Sequence, residues 1–279
     1  MRSTPPWTAD LSSVAHTAAA LAAAYRVGLA SALAAWPVLL GRAVFYGVCL
    51  TILGAFWGKV AAEHLPGTLA ARLPAGGLGR YVGVTELITL SVTTIQLRLE
   101  DELRSGALEP HLLRPKHYLA QTLAGEAGGM SARFAVLGAA GLALLAATGG
   151  PWPSASALAG VVVLAVLGAF VGVLLFTLVG LTAFWLRRVL PALLITQKLI
   201  FLLGGLFAPI ALYPPWLHAI AAATPFAAHI AFAGEAMLAP SWTQFARALA
   251  AQLAWIAVLG ALAALMWRAG LAKTLREGV

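Results

Sequence analysis

"LEDELRSGALEPHLLRPKHYLAQTLAGE", residues 99–126, is the polar interruption around which the rest of the chain is organised. The 279-residue chain is 61% hydrophobic and 10% charged, yet this stretch holds Glu100, Asp101, Glu102, Glu109 and Glu126. Arg104, Arg114 and Lys116 join them, with His111, His117, Pro110 and Pro115. Long apolar runs lie on both sides. Read as the hydrophilic connection between two membrane spans, the stretch sets the register in which the other runs are counted.

Soluble domains carry about 25% charged residues. This composition, with a mean hydropathy of +0.89, lies far outside that range. Several apolar runs approach the roughly 20 residues that cross a bilayer as helix. The sequence therefore describes an all-α integral membrane protein, with one transmembrane unit over 1–279 and no sizeable soluble domain. The net charge of +8 does not indicate nucleic acid, because the basic residues are spread between apolar runs rather than clustered. The single Cys49 excludes an internal disulfide and a thiolate metal cluster. Residues 1–30 read poorly as a cleavable signal, since Asp10, His16 and Arg26 interrupt any apolar core.

Six spans are expected, over about 34–57, 80–97, 131–148, 157–186, 192–210 and 245–266. Before them, Leu11, Val14, Ala18, Leu21, Tyr25 and Leu29 recur on one helical face. An amphipathic helix over 8–29 lying in the membrane interface fits that pattern; packing along another helix is the alternative. An even number of spans puts both termini on one side, and the basic residues then divide 13 against 4 in favour of that side. By the positive-inside rule the termini and the insert face the cytoplasm.

Within the insert, Arg98 and Arg104 can pair at helical spacing with Glu100, Asp101 and Glu102. Gly106 can end that helix, Glu109-Pro110 can start a short new one, and Pro115 can stop it. Leu108, Leu112 and Leu113 give the short helix an apolar edge. These start and stop signals predict a docking surface rather than a bare linker.

The order of these features resembles that of ABC-2 type permeases, the membrane subunits of ATP-binding-cassette exporters. "LRSGALEPHLLRP" is similar to the family's segment before the third span, and "GGLFAPIALYPPWLHAIAAATPF" (204–226) to the segment after the fifth. "WRAGLAKTLREG" is similar to its basic tail. The nearest subgroup is that of permeases of about this length, which occur as two related subunits beside one ATPase. The resemblance implies that 99–126 is a coupling segment docking on an ABC ATPase through Gly106, Leu108, Glu109, Leu112, Leu113, Arg114 and Pro115. It implies a dimer of identical or related permeases in the bacterial cell inner membrane, exporting a small-molecule substrate, with multidrug efflux as one form of that activity. It also implies an outer gate at Phe207, Pro209, Tyr213 and Trp216. A stand-alone secondary transporter or channel is the alternative, but the internal repeat such proteins show is absent from the sequence.

No G-x-x-x-x-G-K-[ST] occurs, so ATP hydrolysis, with its ATP and magnesium, is expected on a separate subunit. No cofactor, metal site or enzymatic activity is expected in this chain. Intramembrane ionisable residues are the remaining hints. Arg42 and Glu86 fall at similar depths on the first and second spans, with Thr89 and Thr93 on the Glu86 helix. They read as a structural ion pair, as a substrate contact, or as an unpaired carboxylate near a watery vestibule. Residues 211–242, punctuated by Pro214, Pro215, Pro225 and Pro240, predict two short re-entrant helices, about 215–223 and 226–238, broken at Thr224-Pro225.

Overall fold

The computed structural model describes residues 6–63, 76–107, 118–148 and 152–277, which form helices and turns without a strand. In chain order the helices are α1 (Pro6–Ala34), α2 (Trp36–Glu63), α3 (Gly77–Ser91), α4 (Ile95–Arg104) and α5 (Tyr118–Ala147). They continue with α6 (Ala155–Leu181), α7 (Leu190–Leu203), α8 (Pro215–Ala222), α9 (Phe232–Leu238) and α10 (Trp242–Glu277). Five helical stretches are long and apolar enough to cross a membrane, or six when the bent α8–α9 pair is taken as one. The chain is an all-α, multi-pass membrane protein.

Helix α6 is the hub. It is apolar on every face and packs against α3, α4, α9 and α10, so Leu164, Ala169, Val171 and Val173 are sealed from outside. Ser154 starts it by accepting a hydrogen bond from Ala157 N at 3.2 Å, an N-cap that satisfies one of the first turn's free donors. The spacing Gly168-x-x-x-Gly172 has a definite use here. A Cβ on Gly168 would strike the backbone oxygen of His229, and one on Gly172 would strike the His229 ring. The two glycines form the notch that receives a π-helical turn over Ala227–Ala231. His229 Nδ1, in its protonated tautomer, donates to Gly168 O at 2.8 Å. Gln252 of α10 donates from Nε2 to both Leu164 O and Ala228 O, each at 2.9 Å.

Several boundaries differ from the sequence reading. The expected span over 80–97 is broken: α3 ends at Ser91, Val92 is extended (φ −71°, ψ 147°), and α4 restarts at Ile95. The β-branched Val92-Thr93-Thr94 run weakens the helix there. The expected span over 192–210 is the shorter α7, ended by Gly204-Gly205 with Gly205 at φ +75°. Its 14 residues rise about 21 Å, short of a hydrocarbon core of about 30 Å. The third expected span, 131–148, is the second half of α5, which starts at Tyr118.

Helix α1 is longer than the expected 8–29 and packs along α5. A Cβ on Gly28 would meet the Gly125 carbonyl, and one on Gly128 would meet Tyr25 O, so glycines let the two backbones touch. Tyr25 Oη also donates to Ser131 Oγ at 2.9 Å. Trp57 is buried among Leu78, Tyr81, Val82, Ala208 and Leu238. Trp152, Trp216 and Trp242 are exposed.

Candidate functional site

The polar insert leaves and re-enters the bundle through α4 and the start of α5, and both are anchored. On α4, Arg98 Nε bonds Glu102 Oε1 at 2.8 Å and Arg104 Nη1 lies 3.6 Å from Glu100 Oε1, both one turn apart. Arg98 Nη1 also reaches Glu126 of α5 at 3.5 Å. Exposed pairs of this kind add little stability singly. They do fix which face of α4 is charged. The opposite face is sealed: Ile95, Gln96 and Leu99 are buried against the end of α6. Gly180 makes that approach possible, since a Cβ there would lie 2.8 Å from Leu99 Cδ1 and 2.9 Å from Gln96 Cα.

The α5 side is held by aromatic packing. Tyr118 Oη donates to Glu102 Oε2, tying the first residue of α5 to α4. Its ring stacks on Trp267 of α10 at 5.2 Å and 16°, and Phe184 meets the same indole edge-on at 5.8 Å. Lys273 Nζ donates to Phe184 O at 2.9 Å, so the end of α10 clasps the end of α6. Four elements thus converge into one block that holds both ends of the insert. Gly106, at φ +73°, lies just past the α4 C-cap Ser105, the left-handed position that favours glycine. Leu108, Glu109, Leu112, Leu113, Arg114 and Pro115 lie outside the described residues.

Deeper in the bundle, Arg42 and Glu86 do not form an ion pair among the described residues. Arg42 Nη1 donates to Leu90 O at 2.5 Å, one turn further along α3 than Glu86. Arg133 Nε donates to Ser91 O at 2.8 Å. The break after Ser91 explains both bonds: the last carbonyls of α3 lose their helical donors, and two arginines from α2 and α5 replace them. Arg133 therefore works inside the bundle. Glu86 is half-buried. Thr89 bonds back to Thr85 O at 2.8 Å, and the buried Thr93 Oγ1 has no hydrogen-bond partner at the break.

At the far end of the bundle, α8 and the Ala227–Leu238 helical stretch meet at a bend of 83°, with Thr224-Pro225 between them. The preceding turn is tied from three sides. Tyr81 Oη of α3 donates to Gly205 O at 2.7 Å, and Tyr213 Oη to Leu202 O at 2.6 Å. Glu235 of α9 accepts from Ala211 N at 3.0 Å. Burial raises the Tyr213 phenol above its ordinary range, so it stays a donor. Phe207 is exposed but packs edge-on to Trp57 at 6.2 Å, Pro209 caps a 3-10 turn over Ile210–Leu212, and Trp216 is exposed. Tyr81 and Arg133 were not singled out from sequence. Nothing local marks a tyrosine or arginine that acts on the carbonyl of a distant helix end.

The family model for "ABC-2 family transporter protein" matches residues 78–277. No curated protein and no solved structure matches the chain. The match covers well over half of the 279 residues, from α3 to α10, so the chain belongs to the ABC-2 transporter family. It is an ABC transporter permease, a class of membrane domain that works with an ABC ATPase.

Proposed function

We propose that this chain is the permease subunit of an ATP-driven exporter, powered by separate ATPase subunits that dock on the insert. The observation that carries the reading is the block formed by α4, α5, α6 and α10, which holds both ends of 105–118. A connection that only linked two spans needs no such anchoring. A surface that receives a push from another subunit does. ATP and magnesium sit on the ATPase, and this chain does no chemistry of its own.

Two permeases, identical or related, enclose the substrate path, lined by α2, α3 and α7, with Glu86, Thr89 and Thr93 as its polar contacts. Residues 204–238 form the outer gate. The protein lies in the bacterial inner membrane with both termini and the insert in the cytoplasm, following the distribution of Lys and Arg. The test is the double variant Glu109→Ala/Arg114→Ala in the assembled transporter. It should insert normally and lose transport-linked ATP hydrolysis. Unchanged hydrolysis would remove the insert from the coupling path.

A further inference from the structure

Helices α5 and α6 follow one another in the chain, yet they barely touch. Between them lies a cleft of about 900 Å³, backed by α2 and α3. That volume falls at the upper end of the roughly 300–1,000 Å³ of small-molecule sites. On α5 the lining runs from Met130 to Thr148, about 27 Å at the helical rise. The cleft is therefore long, on the scale of the roughly 30 Å hydrocarbon core.

Its walls are mostly aliphatic side chains, the Tyr46 and Phe134 rings and bare glycine backbone, and the hydroxyls of Tyr46, Thr51, Ser131 and Thr148 that also line it are already spent on backbone carbonyls. The glycine surfaces are open. A Cβ on Gly54 would meet nothing within 4 Å, and one on Gly138 would meet only Leu87 Cδ1 at 3.8 Å. The described lining has a single formal charge, Arg80, near the start of α3 and at the same end as Gly76 and Thr148. An apolar space of this size is not filled by water, which needs two to four polar partners. Left empty, it would forfeit the dispersion contacts of its walls. The helices that frame it, α2, α5 and α6, are all long and apolar enough to cross a membrane, so its length matches that of an acyl chain in the bilayer.

We propose that this cleft holds an acyl chain of a membrane phospholipid whose anionic headgroup sits at Arg80. A guanidinium suits phosphate oxygens, and the long greasy groove leading away from it suits the chain. The inference needs neither an ATPase partner nor a direction of transport.

The test uses the purified full-length chain in phosphatidylcholine vesicles. These contain traces of phosphatidylglycerol or phosphatidylcholine carrying a photoreactive diazirine in the acyl chain. Adducts located by peptide mass spectrometry should concentrate at Leu87, Phe134 and Leu142, with the phosphatidylglycerol probe ahead about fivefold, as one arginine near an anionic headgroup implies. Arg80→Gln should abolish that preference while phosphatidylcholine adducts remain. Gly54→Leu on α2 and Gly138→Leu on α5 fill the cleft from two different helices, and each should reduce labelling by both probes. Even labelling of exposed residues such as Val44, Val48 and Leu265 would overturn the proposal. So would a preference unchanged by Arg80→Gln, adducts undiminished in both glycine variants, or cross-links showing residues 64–75 seated in the cleft.

Discussion

Gly180→Ala is the smallest change that should disconnect the insert from the bundle. The new Cβ would lie 2.9 Å from Gln96 Cα, whereas ordinary contact begins at 3.4 Å. Since that neighbour is backbone, α4 has to move away from α6 by at least about 0.5 Å. Leu99, 1% exposed, cannot swing aside into solvent. Overpacking of this kind costs about 1–3 kcal/mol. Replacing glycine by alanine returns at most about 1 kcal/mol, and less at Gly180, the penultimate residue of α6. The net destabilisation is then about 0–3 kcal/mol, carried by the α4 contact alone. If that mismatch acts on the docked arrangement, coupled ATP hydrolysis falls by about tenfold, the factor that 1.4 kcal/mol represents. The assay is ATP hydrolysis by the assembled transporter, with thermal unfolding of the purified permease alongside. Gly47→Ala is the control, because a Cβ there meets nothing within 4 Å. Wild-type hydrolysis in Gly180→Ala together with lowered thermal stability of the permease would refute the idea that the α4–α6 contact supports coupling.

Three further outcomes follow from the same structure. Arg133→Met removes the donor to Ser91 O, and a bond to a charged group is worth about 1.5–3 kcal/mol, so thermal stability should drop and proteolysis near residues 92–94 should rise. Gln252→Leu removes two buried hydrogen bonds that tie α6 and the π turn to α10, each worth about 0.5–1.5 kcal/mol, so its melting temperature should fall further than that of Leu253→Ala at an exposed site. Tags placed at residue 107 and at the C-terminus should both be inaccessible from outside intact cells, and tags near residues 67 and 241 accessible; an externally reactive tag at 107 would reverse the orientation.

What could be read from sequence was whatever local chemistry decides. Gly106 ends α4 and Pro225 falls at the sharp bend before the π turn, whereas the stop at Gly204-Gly205 was passed over because hydropathy carried the span on to 210. The break at 92–94 was hidden because Val92-Thr93-Thr94 is apolar enough to pass as span, and β-branched residues only weaken a helix. Its stability comes from Arg42 and Arg133, donors on two other helices. The depth argument that placed Arg42 near Glu86 identified the right pair of helices. It missed the stronger claim on the guanidinium by a carbonyl freed one turn away. Gly168-x-x-x-Gly172 was visible as a pattern, but its occupant, the His229 turn, could be known only from packing.

The central claim is that the insert is the contact with the ATPase. The most direct measurement is cross-linking in the assembled transporter, with single photoreactive residues placed in turn along 105–118 and along 268–279. The account predicts that adducts to the ATPase form from the insert, strongest at the apolar edge of Leu108, Leu112 and Leu113. Adducts confined to the C-terminal segment would contradict it.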